Sequence, residues 1–584
     1  VSEIMDFLVM TPETKHMVAL LDPLAIRTYE AISAYWTNAE KNTEILTLTG
    51  VLLENRLIWL SVGITILVAF GRFFKPLTLD SSNRSTRKLK NSNKVVPKDK
   101  TCEALKNNNV CYKGSDKPDW AQFFALTKFE VKQVIFDRAF ILLCLISLSF
   151  LIGIFSVPKG VFGNQFWPVT QEMVGLISRV MSLMTLIVIT YYSAEIVWRE
   201  RALGIGDIID SSPVKNISFW MAKLVALCSV ILLILVLSIL TTIMLQISTG
   251  YTNLEIPVYI VSLFYFSALP LMMMAILAFF LQVISANKFI GMFIFVIFIV
   301  SDLVMSKFGL GFNMYRFSHS PLMQYSDMSG YGPSIVSHHW YMIYWAALAF
   351  ILAVIGYGLW QRGLVENLKY RLNKLSYQMG NKGKFAIATS LVIFVFSGGF
   401  IYYNTHILNE YYSDSDYTKI HADYEKRYKV YHADALPTLT KINAVVDIYP
   451  KQRKIAIAAK MTLVNNTQHS ISKFLVSMQG SSSLFNGKLG FAPVDFGLQI
   501  EGGTMGPVDG ALNTHWFIFD APMKPGEKRN AEFNVIRQQV GFTDKPENFR
   551  IVDNGTSVQN SEIFPRFGYQ AVEQILSSNV RKKH

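Results

Sequence analysis

The chain has 584 residues, of which 51% are hydrophobic and only 17% charged, with a formal net charge of +13. So little charge excludes an ordinary soluble globular protein and fits a polytopic membrane protein with a soluble part. The excess of base by itself suggests nucleic acid, but its distribution argues against that partner, because Lys and Arg gather in segments that flank apolar spans, as the positive-inside rule expects.

The chain opens Val1-Ser-Glu with no signal-peptide pattern, and the first strong apolar span starts near Leu57, so the opening reads as the middle of a longer protein. Eight spans are expected, at 52–73, 139–157, 175–194, 219–247, 257–283, 288–305, 340–360 and 385–403. Arg179 and Asp302 fall inside two of them and are expected at an interface. The loop 74–138 carries Arg84, Arg87, Lys88 and Lys90, and the loop 361–384 carries Arg362, Lys369, Arg371 and Lys374. Both belong in the cytosol. Alternation then puts 195–218 there as well, and 1–51, 158–174, 248–256, 306–339 and everything after 404 outside.

The segment Glu195-Ile-Val-Trp-Arg-Glu-Arg-Ala-Leu-Gly-Ile-Gly-Asp-Ile-Ile-Asp-Ser-Ser-Pro213 lies between two spans. Its Ile196, Val197, Leu203, Ile205, Ile208 and Ile209 recur at roughly helical spacing until Pro213. This predicts a short amphipathic helix on the inner membrane face, with Glu200 and Arg201 on a polar side that can dock a soluble partner.

After Asn404 the chain turns polar and Tyr-rich, and 404–435 reads as a helical stalk. From Pro437 on, apolar residues alternate in Ile442–Tyr449 and Lys454–Val464, punctuated by Pro450, Asn465-Asn466, Gly502-Gly503, Pro525-Gly526 and Asn554-Gly555. This is the signature of an all-β sandwich of roughly 130 residues. The fold class is therefore an α-helical polytopic membrane domain followed by a C-terminal β-sandwich.

The motifs of several chemistries are missing from the sequence. No Gly-rich phosphate loop ends in Lys-Ser/Thr, and none of the ten histidines lies in His-Glu-x-x-His. His319, Asp327, His338 and His339 could hold a metal, but a polar loop beside the aromatic belt of Trp340, Tyr341, Tyr344 and Trp345 is the simpler reading. The four cysteines, Cys102, Cys111, Cys144 and Cys228, read as free thiols.

Residues 139–360 resemble the permease subunit of ABC-2-type exporters, through the segment 195–213 and the Val214-Lys215-Asn216 that follows. The resemblance implies that this stretch is a coupling helix meeting a separate ATPase, with Glu195, Trp198, Arg199, Glu200, Arg201, Gly204 and Asp207 as its contact residues. Residues 440–570 look like the N-terminal β domain of zinc aminopeptidase family M1, through Asp447-Ile-Tyr-Pro450, Thr462-Leu-Val-Asn-Asn-Thr467, Pro522-Met-Lys-Pro-Gly-Glu527, Asp553-Asn-Gly-Thr556 and Phe564-Pro-Arg-Phe-Gly-Tyr569. Leu20-Leu-Asp-Pro-Leu24, Tyr35-Trp-Thr37 and Glu54-Asn-Arg56 fit the end of a first membrane half in bacterial fusions of the two.

The division that follows is 1–74, the end of a first half; 75–138, a basic linker; 139–360, a six-helix permease half; 361–403, a loop and the last span; 404–435, the stalk; 436–570, the β domain; and 571–584, a tail. The expected function is a permease in a bacterial inner membrane, with the β domain outside. Its partners would be an ABC ATPase, the bilayer, and a second permease half or copy. No cofactor is expected in the chain itself: ATP belongs to the ATPase and zinc to a catalytic module that the chain lacks. Two alternatives stand beside this, a membrane anchor for an M1-type aminopeptidase and an envelope scaffold.

Overall fold

The computed structural model describes residues 19–20, 26–33, 36–37, 48–73, 120–155, 167–212, 214–305, 308–323, 325–332, 334–360, 367–409, 411–477, 497–509, 514–544, 551–556, 558 and 560–571. Contacts divide the chain into two units, 1–117 with 156–166, and 118–155 with 167–584. In the first, helices α1 (Ile26–Ser33) and α2 (Gly50–Phe73) share an anchor. Thr28 Oγ1 donates to Ala19 O at 2.7 Å, and Asn55 Nδ2 donates to Ala19 O at 2.9 Å and to Leu20 O at 3.0 Å. Helix α2 covers the first expected span. Cys102, Cys111 and the basic stretch 74–119 lie outside the described residues.

The second unit begins with α3 (Trp120–Ile135), α4 (Arg138–Phe155), α5 (Thr170–Ala202), the five-residue α6 (Gly206–Asp210) and α7 (Asn216–Ser248). Then come α8 (Ile256–Ile284), α9 (Lys288–Met305), α10 (Ser334–Gly358) and α11 (Leu368–Leu408). Among the described residues seven helices, α4, α5 and α7 to α11, are long and apolar enough to cross a bilayer. The chain is a multi-pass membrane protein. Cys144 is buried and Cys228 half-buried, both as free thiols.

Two boundaries differ from expectation. The span expected at 175–194 runs on to Ala202, so Glu195 to Arg201 are the last turns of α5 and not a separate amphipathic helix. The last span begins at Leu368, because the polar stretch before 385 is helical too, with a break at Gly380 where φ is +61°. Helix α8 widens into a π-helical segment at Val261–Ser267, just ahead of Pro270. Proline has no N–H for the carbonyl four residues back and its ring crowds that carbonyl, so a wider turn there relieves the clash.

The connection between α9 and α10 re-enters the bundle. Phe312, Phe317 and Ser318 are buried, Ser318 Oγ donates to Pro270 O at 2.7 Å, and Trp345 Nε1 donates to His319 O at 2.9 Å. Irregular backbone at such depth is tolerated where protein surrounds it. Asp302, expected at an interface, is instead buried in a bidentate pair: Arg316 Nε and Nη2 donate to its two oxygens at 3.1 and 3.0 Å. His319 Nε2 lies 3.4 Å from the same carboxylate. The His338 imidazole is held by Ser320 Oγ at 2.8 Å, and no three His, Cys, Asp or Glu side chains converge among the described residues. Arg179, also expected at an interface, is exposed along α5, its Nε donating to Gly175 O at 3.2 Å.

Beyond α11, helix α12 (Asp414–Tyr428) starts with a capping box in which Ser413 and Asp416 bond each other's backbone N–H. Among the described residues eight strands follow: β1 (Thr438–Tyr449), β2 (Lys454–Val464), β3 (Ile471–Ser477), β4 (Gln499–Ile500), β5 (Gly503–Asp509), β6 (Thr514–Met523), β7 (Lys528–Gln538) and β8 (Arg566–Phe567). They form two antiparallel sheets, ordered β1-β2-β7-β4 and β5-β6-β3-β8. Inward residues alternate: Ile455, Ile457, Met461 and Leu463 of β2 meet Phe474, Phe517 and Phe519 of the other sheet in one core. Each such side chain contributes roughly 1.5–3 kcal/mol by leaving water. On the other face of β3, Leu475 is covered by Tyr424 and Tyr428 of α12.

Candidate functional site

Helices α5 and α7 have 33 residues each. At roughly 1.5 Å per residue each is about 50 Å long, against a hydrocarbon core of about 30 Å. Even a tilt of about 40° leaves about 10 Å of each helix outside. At the end nearer the β sheets the two are tied down beside an aromatic pair. Gln246 Nε2 donates to Pro168 O at 2.7 Å, Tyr259 OH donates to Gln246 Oε1 at 2.9 Å, and the rings of Trp167 and Tyr251 lie 6.4 Å apart. Trp and Tyr mark a membrane interface. The surplus length therefore emerges at the opposite end, where α6 joins α5 to α7.

Four charged side chains hold that projecting end together. Lys223 of α7 is 1% exposed, yet its ammonium is fully used: it donates to Ile196 O and Glu200 Oε1, both at 2.9 Å, and lies 3.1 Å from Glu130 Oε1. Glu130 of α3, 4% exposed, also takes Arg199 through its other oxygen. Two acids and two bases, all hydrogen-bonded, leave no net buried charge, the condition under which such a cluster is tolerated. Nearby, Trp198 Nε1 donates to Gln282 Oε1 at 3.1 Å, and Lys288 lies 3.9 Å from Glu195. Gly291 permits this: a Cβ there would stand 2.4 Å from Gln282 Oε1.

Helix α5 stops at Gly204, where φ is +69°. Gly204 N donates to Arg201 O and Ile205 N to Glu200 O, both at 3.1 Å, the two bonds of a Schellman ending. The chain then turns through α6 with Leu203 66% and Ile208 71% exposed, and Ile205 exposed beside them. Behind this tip opens a small solvent-facing cleft, lined among others by Trp198, Arg201, Asp210, Trp360 and Arg371. Buried Arg371 of α11 closes its back, Nη1 donating to Val283 O at 2.9 Å and Leu359 O at 3.0 Å. These are carbonyls at the C-terminal ends of α8 and α10, where a cation is favoured.

The seven residues read from sequence thus divide. Glu195, Trp198, Arg199 and Glu200 turn toward α3, α7, α8 and α9 and build the frame. Arg201 lies at the cleft rim, its guanidinium 5.4 Å from the Trp198 ring centre, and Gly204 shapes the turn. Asp207 falls in α6, and its side chain lies outside the described ones. Sequence reasoning missed Glu130, Lys223, Gln282 and Arg371. The available signal was Lys223, a lone cation inside an otherwise apolar run.

No protein-family model matches this chain, and no curated protein matches it. The geometry therefore carries the reading alone. What it offers is an ion-paired end of two long apolar helices that presents a small apolar tip.

Proposed function

We propose that the chain is the permease component of an ABC-type transporter, and that the tip 203–210 docks a separate ATPase in the cytosol. The observation that carries this is the exposure of Leu203 and Ile208 at the end of two helices that outrun the membrane. Apolar side chains held clear of lipid are costly in water, and one partner that removes that cost is an apolar groove on a soluble protein. The ion-paired frame beneath the tip suits transmission, because the ends of α3, α5 and α7 move as one piece when the tip is displaced.

The sidedness has support of the same kind. Lys128, Lys132, Lys215, Lys369 and Lys374 belong to the elements at the tip end, whereas the described residues of the 308–333 connection hold one base, Arg316, and it is paired to Asp302. That asymmetry favours a cytosolic tip and an extracytoplasmic β region. We read the β region as an M1-like N-terminal domain, on the ground that Asp447–Pro450 and Pro522–Glu527, two of the motifs behind that likeness, fall on the turn of the β1–β2 hairpin and on the β6–β7 connection that crosses from one sheet to the other.

Affinity purification of the tagged chain from native membranes, followed by ATP turnover of the eluate, tests the reading. Copurifying ATPase activity is expected; an eluate without it, from membranes in which the chain is intact, contradicts it.

A further inference from the structure

Strand β1 runs twelve residues and pairs with β2 along one side; among the described residues no strand lies along its other side. Its side chains are unusually apolar for a free edge. Ile442, Val446 and Ile448 pair with Met461, Ile457 and Ile455 of β2, which are buried, yet the β1 residues themselves are exposed. The core face of this sheet therefore extends past the cover that the second sheet supplies. On the opposite face Val445 is 65% exposed, and Tyr449 is exposed as well. A long apolar edge, regular here from Lys441 to Tyr449, is a template for another strand.

We propose that a second copy of this chain pairs antiparallel along β1, centred on Ala444. The register follows from charge. Antiparallel partners must share a face, so only shifts of two residues are open. With Ala444 opposite its own copy, Lys441 stands opposite Asp447 of the second copy, and Asp447 opposite its Lys441. Ile442 then meets Val446, and Asn443 meets Val445. Moving the register by two residues in either direction sets Lys441 against Val445 or Tyr449 and removes both charge pairs. Opposite charges directly across an antiparallel pair are stabilising and like charges the reverse. The exposed row Ile442, Val446 and Ile448 from each copy would close into one apolar strip on the core face. This inference is independent of the transport reading, since it uses only the β region.

The test uses the full chain in detergent and in nanodiscs, with mass read by light scattering. Wild type is expected as a dimer. Lys441→Asp sets acid against acid at both pairs and is expected to lower the dimer fraction at least tenfold, as is Asp447→Lys. The double variant Lys441→Asp with Asp447→Lys restores both pairs and is expected to restore the dimer. In a background with the four native cysteines replaced, Ala444→Cys should be joined to its copy by a short bis-maleimide, whereas Ile536→Cys, exposed on β7, should not. A chain that stays monomeric overturns the proposal and makes Lys441 and Asp447 guards against edge pairing. A dimer indifferent to Lys441→Asp and not joined through Ala444→Cys overturns it too, as does a different protein found on the edge.

Discussion

The Tyr341 hydroxyl donates to Asp544 Oδ1 at 2.6 Å, joining a residue of helix α10 to the segment that leaves β7. Asp544 is 2% exposed, and its carboxylate and carbonyl also take the Asn313 backbone N–H and Nδ2. Asn409 Nδ2 donates to Val540 O and Phe542 O, and Phe542 packs into the helical core against Phe400. Residues 540–544 are therefore a plug that seats the β region on α10, α11 and the re-entrant connection. Tyr341→Phe should leave this buried acceptor short of a donor and cost about 1–3 kcal/mol. Faster amide hydrogen exchange across 540–544, with the β strands unchanged, is the expected reading.

The Lys223 cluster makes a sharper demand. Lys223→Met leaves buried Glu130 and half-buried Glu200 without their shared cation, a loss of up to about 3–5 kcal/mol. Adding Glu130→Gln removes the excess negative charge of the cluster and should recover part of the lost thermal stability. Glu200→Arg faces Lys223 directly and should lower stability in the same way. A change in partner binding in that variant alone is therefore no measure of docking.

Gly204→Ala forces an L side chain into the left-handed region and should cost roughly 1 kcal/mol. The expected sign is increased proteolysis at 203–210 with α5 and α7 intact in hydrogen exchange. Gly291→Ala should act through a different contact, displacing the Gln282 amide and releasing Trp198, read as a change in tryptophan fluorescence.

The capping box of α12 predicts a pH response. Hydrogen bonding from Ser413, aided by Lys419, holds the Asp416 carboxyl below its ordinary value of 3.8. A folded value below the unfolded one gives stabilisation that is present above about pH 4 and lost as pH falls through the folded value. Ser413→Ala should weaken the start of α12 by about 1 kcal/mol and flatten that response, measured as protection of residues 414–428.

Much of the fold was legible because its signals are local. The spans were visible as apolar runs, and the strands as alternation between turn residues: Gly502, Gly526 and Gly555 all take positive φ where turns were expected. The buried pairs were not legible. Asp302 with Arg316, and Glu130 with Lys223, are joined by tertiary approach, and a charge in an apolar run announces a cost without naming its partner. The segment 195–213 was read from its charges. Its charges looked like a docking face, but Glu195, Arg199 and Glu200 serve the frame, and the exposed groups include the apolar Leu203, Ile205 and Ile208.

Sidedness can be read by labelling in a cysteine-free background. Lys419→Cys should react with an impermeant maleimide in intact spheroplasts, and Leu203→Cys only after permeabilisation. Reversed labelling would place the tip outside and remove the cytosolic ATPase from consideration.

The most direct test replaces Ile208 with Glu. Ile208 is exposed and belongs to no part of the ion-paired frame, so the variant should insert, fold and resist protease as wild type does. The tagged wild-type chain is predicted to bring ATPase activity from the membrane, and Ile208→Glu to bring at least tenfold less. Equal ATP turnover in the two eluates would contradict docking at this tip.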